Sequence, residues 1–138
     1  MKVLIDTNVA LNKLLMQPNF FAGSNAVFRL AELGQISGFI SASAVTDIYY
    51  IASKKLGKKY TIEGIKKMLQ VFKPATITDN NIFQALALEW NDFEDSVQYV
   101  VVETLEVDYI VTRNTSDFAS GSITAVTPEE FLIAIADL

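Results

Sequence analysis

Val3-Leu4-Ile5 is an apolar run, two of its three residues β-branched, that ends on Asp6 and gives way at once to a helical pattern. An unbroken run of this kind suits a strand buried on both faces, and such strands belong to parallel sheets covered by helices. Asp6 then falls at the carboxyl end of its strand, the edge where open α/β sheets bind ligands. An aspartate there has a second reading, as the cap of the following helix. What gives the first reading weight is that three further acidic residues recur in matching places.

The alternation continues along the chain. Strands are expected at 2–6, 36–40, 75–77, 109–112 and, weakly, 124–126. Helices are expected between them. The first runs from Thr7 to Met16 and is broken by Pro18-Asn19. The second is capped by Ser24 and ends at Gly34. The third starts at Ser41 or Ser43 and ends at Gly57, with Val45, Ile48, Tyr49, Ala52 and Leu56 as its buried stripe and Asp47 off that stripe. The next opens at Thr61 and ends before Pro74. Another is capped by Asp79. A further helix begins around Asp92-Phe93-Glu94-Asp95, with Asp95 in its opening turn. A last one is announced by Thr127-Pro128-Glu129-Glu130, since proline fits a first turn and acids favour its dipole. Phe20 and Phe21 are assigned to the core. Strands alternating with helices define an α/β fold with a central parallel sheet and helices on both faces. In that fold, strand ends and following helix starts share one edge.

The 138 residues fit a single domain, 1–138. A hydrophobic content of 51% supports a sizeable core, as does a mean hydropathy of +0.29. No apolar run approaches the ~18 residues of a membrane helix. Met1-Lys2 leads straight into a strand, so no signal peptide is expected and the cytoplasm is the expected compartment. The chain has no cysteine and no histidine. That excludes a disulfide framework, Cys/His zinc sites, and Ser–His or Cys–His nucleophilic machinery. Catalysis is left to carboxylates, hydroxyls, amides, lysines or a recruited metal. The net charge of −5 conceals an asymmetry: residues 1–73 hold ten Lys/Arg and four Asp/Glu, and residues 74–138 hold one and twelve. Lys54, Lys55, Lys58 and Lys59 open a basic band. It reads either as an ordinary solvated surface or as a phosphate-contacting face.

Asp6 and Asp117 follow strands one and four, and Asp47 and Asp95 sit near helix N-termini. Gathered in one cleft, four carboxylates repel one another unless a cation neutralises them. Oxygen donors without nitrogen or sulfur select Mg²⁺ or Mn²⁺. Such an ion lowers the pKa of a bound water, places it in line with a phosphodiester and offsets charge on the leaving oxygen, which is hydrolysis without histidine. The competing reading is that aspartates at helix starts are caps.

The opening Val-Leu-Ile-Asp6-Thr7-Asn8, the helix-starting Asp92-Phe93-Glu94-Asp95, and Ile110-Val111-Thr112-Arg113-Asn114 followed by Asp117-Phe118 together resemble the PIN domain family. The resemblance covers nearly the whole chain. It implies a three-layer α/β/α sandwich with a central parallel sheet and a Mg²⁺- or Mn²⁺-dependent ribonuclease. Many small members are VapC-type toxins, so it also implies a homodimer and an antitoxin that blocks the cleft. Carried over, Asp6 matches the first metal aspartate and Asp95 the third acid, with Asp92 the lesser candidate because it precedes the helix. Asp47 stands where the family usually has glutamate, one methylene longer. Asn114 stands where many members have a fourth aspartate, which makes Asp117 the candidate for that charge. Thr7, Asn8, Thr112 and Ser116 are candidate supporting or water-positioning groups. Asp6→Asn is expected to remove activity and leave the fold intact or more stable, by relieving repulsion. Two other readings compete. One is a PIN-like domain without catalysis that binds RNA or protein. The other is a phosphoaspartate receiver, ranked low because the lysine it needs after a late strand is missing.

Overall fold

In the computed structural model, which describes residues 1–137, the sheet is five-stranded and every pairing is parallel. Its strands are β1 (Lys2–Ile5), β2 (Ser37–Ser41), β3 (Phe72–Ala75), β4 (Tyr109–Val111) and β5 (Thr124–Val126), in the order β3-β2-β1-β4-β5. Helices α1 (Thr7–Leu14) and α2 (Phe21–Glu32) connect β1 to β2, and α3 (Ala42–Leu56) and α4 (Lys58–Met68) connect β2 to β3. The chain then passes through α5 (Asp79–Leu88) and α6 (Phe93–Leu105) to reach β4 on the opposite side of β1. A 3₁₀ turn (Thr115–Phe118) precedes β5, and α7 (Pro128–Ala136) ends the described chain.

The central strand shows why an unbroken apolar run was needed. Val3 and Ile5 pack into one core with residues of α1, α2, α3, α4 and α7. Leu4, pointing the other way, joins a second core with Tyr99 and Val102 of α6. Both faces of β1 are thus covered by helices, and the fold is the expected α/β/α sandwich. Because strand order grows outward from β1 in both directions, the sheet switches topology between β1 and β4. The crevice beyond their carboxyl ends is therefore the natural ligand position.

Some boundaries differ from the sequence reading, each for a local reason. Helix α2 starts at Phe21, without a side-chain cap, so Ser24 lies inside the helix, fully buried near Asn12. The turn after Pro18 runs directly into it, with Phe21 N–H donating to the Gln17 carbonyl. Phe20 is 45% exposed and stacks against the Arg113 guanidinium, and Phe21 is only partly buried, so neither belongs to the core. Gly57, at φ +81°, ends α3 and immediately begins α4, leaving no loop before Thr61. Thr61 instead bonds back to the Gly57 carbonyl. Strand β3 lies three residues earlier than expected and includes Pro74, which an edge strand tolerates because its outward side needs no N–H. Helix α5 is capped by Thr78 in a reciprocal box with Asn81, rather than by Asp79.

Candidate active site

Asp6 turns out to be both a helix cap and a cleft residue. It is 7% exposed, and its carboxylate accepts four hydrogen bonds. Thr7 N–H (2.7 Å) and Gln98 Nε2 (3.2 Å) donate to Oδ1. Thr112 Oγ1 (2.8 Å) and Asn8 Nδ2 (3.3 Å) donate to Oδ2. The Thr112 hydroxyl also accepts from Asn114 N–H (3.0 Å), and Asn8 Oδ1 accepts from Arg113 N–H (3.1 Å). The ends of β1 and β4 are thereby laced together, and Asp6 is aimed from the seam.

Above it opens a cleft of about 440 Å³ lined by Asp6, Thr7, Asn8, Asp47, Asn114, Asp117 and Asp95, with Asp92, Glu94, Gln98, Leu11, Tyr50 and Ile51. Asp47 comes from α3, whose start is fixed by Ser41 capping Ala44 N–H at the end of β2. Asp95 comes from the first turn of α6, which Asp92 caps by accepting from Asp95 N–H (3.1 Å). The cleft is lined by six carboxylates and no Lys or Arg. Arg113, the nearest cation in sequence, is turned away: its guanidinium bonds Asn12, Glu129 and the Phe20 carbonyl.

That uncompensated charge is felt. Burial, then the charges of Asp92, Asp117 and Asp6, push the Asp95 carboxyl up from 3.8 to about 7. Glu94 rises from 4.5 to about 7, first through a hydrogen bond with Asp47, then through partial burial and the charges of Asp47, Asp92 and Asp6.

Asp6, Asp47, Asp95 and Asp117 therefore share one cleft, with Thr7, Asn8 and Asn114, and Thr112 lies buried beneath Asp6. Ser116 lies instead in an adjoining groove with Trp90, Asn91, Asp92, Asp95 and Asp117. Lys54, Lys55, Lys58 and Lys59 are exposed and none lines the cleft. Lys54 is two helical turns beyond Asp47 on nearly the same face of α3, roughly 10 Å along the axis, with Tyr50 and Ile51 between them. Sequence reasoning missed Glu94, Tyr50, Ile51 and Gln98, and it ranked Asp92 below Asp95. The signal for Gln98 was present: it interrupts the apolar stripe of α6 one turn after Asp95.

Among the described residues, no group of three or more acidic side chains is placed to hold a metal ion as a preformed set. The donor chemistry nonetheless fits a hard divalent cation: oxygen only, strongly anionic, and with two carboxyls already forced to retain protons near neutrality. Two buried polar atoms at the cleft floor, Thr7 Oγ1 and Gln98 Oε1, lack partners.

A five-stranded parallel α/β/α sandwich with acids gathered at its topological switch point defines a class of fold. Within that class the chain belongs to the PIN domain family, whose model matches residues 2–116. Similar solved structures include VapC20 of Mycobacterium tuberculosis, described as a toxin cleaving the sarcin–ricin loop (12% identity, 86% of this chain and 95% of that one, TM-score 0.69). VapBC2 of Rickettsia felis, solved with a DNA fragment from its promoter, matches at 16% identity over 91% of this chain and 97% of that one, TM-score 0.70. A toxin–antitoxin complex from Klebsiella pneumoniae matches at 23% identity over 91% and 97%, TM-score 0.67. A search of curated protein sequences gave no match.

Proposed function

We propose that this chain is an endoribonuclease that hydrolyses RNA phosphodiester bonds with Mg²⁺ or Mn²⁺, and that it is the toxin of a type II toxin–antitoxin pair acting in the cytoplasm. The observation that carries this reading is the six-carboxylate cleft without a protein cation, at the switch point of a PIN-family sheet. Asp6, Asp95 and Asp117 would hold the ion, with Asp47 reaching it from α3. The ion would supply Lewis acidity and a more acidic bound water. The chain's own groups do the rest. Asp6 is held in one orientation by its four donors, and the raised pKa values of Asp95 and Glu94 express a repulsion among the acids that a bound cation would relieve. The neutral amide of Asn114 leaves the fourth charge to Asp117. Lys54 and Lys55 in the last turn of α3 and Lys58 and Lys59 in the first turn of α4 offer phosphates a cationic path.

The partners follow from the same reading. A similar structure is described as a toxin–antitoxin complex, which supports an antitoxin for this chain. Phe83, Leu86 and Leu88 on α5 and Phe93 on α6 are exposed apolar side chains that a homodimer would cover. Among the described residues, no helix is long and apolar enough to cross a membrane.

A catalytically inactive PIN-like domain that binds RNA or protein is the second reading, favoured by the lack of a preformed carboxylate set. One experiment separates them: incubation of the purified chain with structured RNA, with Mn²⁺, with Mg²⁺ and with excess chelator. The proposal expects cation-dependent cleavage leaving 5′-phosphate ends. RNA binding without cleavage under any cation supports the second reading.

A further inference from the structure

Gln98 sits one helical turn after Asp95 on α6, so both reach the same cleft. It is 2% exposed. Its neighbours on the buried side of α6 are the four valines Val97, Val100, Val101 and Val102, with Ser96 and Tyr99. The Gln98 side chain donates through Nε2 to Asp6 Oδ1. An ionised carboxylate only accepts, so the amide nitrogen must face it, and this fixes which way round the amide lies. Oε1 therefore turns from Asp6, and it is buried without a partner. An unpaired buried acceptor lowers stability, whereas methionine would fill similar space without one. A half-paired amide on an apolar stripe, against the most tightly held acid of the cleft, points to a partner that arrives from the cleft.

We propose that Gln98 is a further oxygen donor of this site: while Nε2 braces Asp6, Oε1 presents an amide carbonyl to a divalent cation seated against Asp6, directly or through one water. Amide carbonyls serve hard cations alongside carboxylates. The inference rests on the cation reading proposed above. Asp6, itself only 7% exposed, is reached from the same side.

The test is calorimetric Mn²⁺ titration at pH 8 of the full chain, Gln98→Met and Gln98→Glu, with metal-free thermal unfolding of each. Gln98→Met loses both functions and should bind Mn²⁺ about tenfold more weakly. Gln98→Glu loses the brace but keeps an oxygen and adds charge. It should melt lower without metal yet bind Mn²⁺ at least as tightly as the parent. If Gln98 only braces Asp6, both variants bind more weakly and the oxygen-donor assignment falls. Unchanged affinity in both would show a packing residue and overturn it too. Should Gln98→Met fail to fold, Gln98→Asn keeps the amide but withdraws it by one methylene. Weaker Mn²⁺ binding then supports the assignment and unchanged binding refutes it. A parent that binds no Mn²⁺ overturns the cation reading and this inference with it, whereas a parent that binds alongside indifferent variants overturns this inference alone.

Discussion

Replacing Asp6 with asparagine keeps the shape of the side chain and changes its hydrogen-bonding capacity. On sequence grounds the change should relieve repulsion and leave the fold intact or more stable. The structure reverses that sign. Four groups donate to the Asp6 carboxylate. An asparagine oxygen placed at Oδ1 retains Thr7 N–H and Gln98 Nε2, but its amide nitrogen then faces Asn8 Nδ2 and Thr112. The threonine hydroxyl can rotate and accept, as it already does from Asn114 N–H. Asn8 cannot rotate without giving up its bond to Arg113 N–H. The cost is one charge-assisted bond, about 1.5–3 kcal/mol, plus the weakening of the remaining three. Relief of repulsion with Asp95 and Glu94, both of which feel Asp6, offsets part of it. A net loss of about 2 kcal/mol lowers Tm by roughly 6–10 °C for a chain of this size. Differential scanning calorimetry in chelator at pH 7.5 reads it directly. A variant that melts at or above the parent would refute the reasoning, because it would mean that repulsion outweighs the four-donor cradle.

Further outcomes follow from the same site. Asp95 and Glu94 have folded pKa values near 7, above their unfolded values, so the folded state binds more protons between about pH 4 and 7. Metal-free stability should therefore fall as pH rises through that window and level off above it. Urea titrations at pH 5 and pH 8 check this, and a rising trend would contradict it. Asp117→Asn should weaken Mn²⁺ binding more than Asn114→Ala, since charge dominates affinity for a hard ion; the reverse order in calorimetry would make Asn114 the fourth ligand. Changing Lys54, Lys55, Lys58 and Lys59 to serine should reduce RNA affinity and flatten its log–log salt dependence by about 0.7 per lost contact. An unchanged slope would reduce these lysines to a solvated face.

The fold was legible because its signals are local and agree. Val3-Leu4-Ile5 could not be half-exposed, and each later apolar run was followed by a helical stripe. The acids were legible for the same reason, since strand ends and helix starts share one edge in such a sheet. What escaped depends on neighbours distant in sequence. Helix α2 begins where a turn merges into it, so no capping residue marks the start. Strand β3 could include Pro74 only because it became an edge. Glu94 acquires its elevated pKa from Asp47, 47 positions earlier in the chain. Gln98 matters through Asp6, across a hydrogen bond spanning 92 positions. Asp92 was set aside as preceding the helix, yet capping α6 is what puts it at the cleft beside Asp95.

The most direct test of the central claim uses Asp95→Asn. This change removes a carboxyl whose ionisation is opposed by burial and by three neighbouring acids, so the metal-free variant should be at least as stable as the parent at pH 8. Its RNA cleavage can then be compared with the parent's in Mn²⁺ without doubt about folding. The account predicts cleavage by the parent that chelator abolishes, and at least a hundredfold loss in a folded Asp95→Asn, of the order seen when a group stabilising transition-state charge is removed. Parent-like cleavage by Asp95→Asn, or cleavage by the parent that survives chelation, would contradict it.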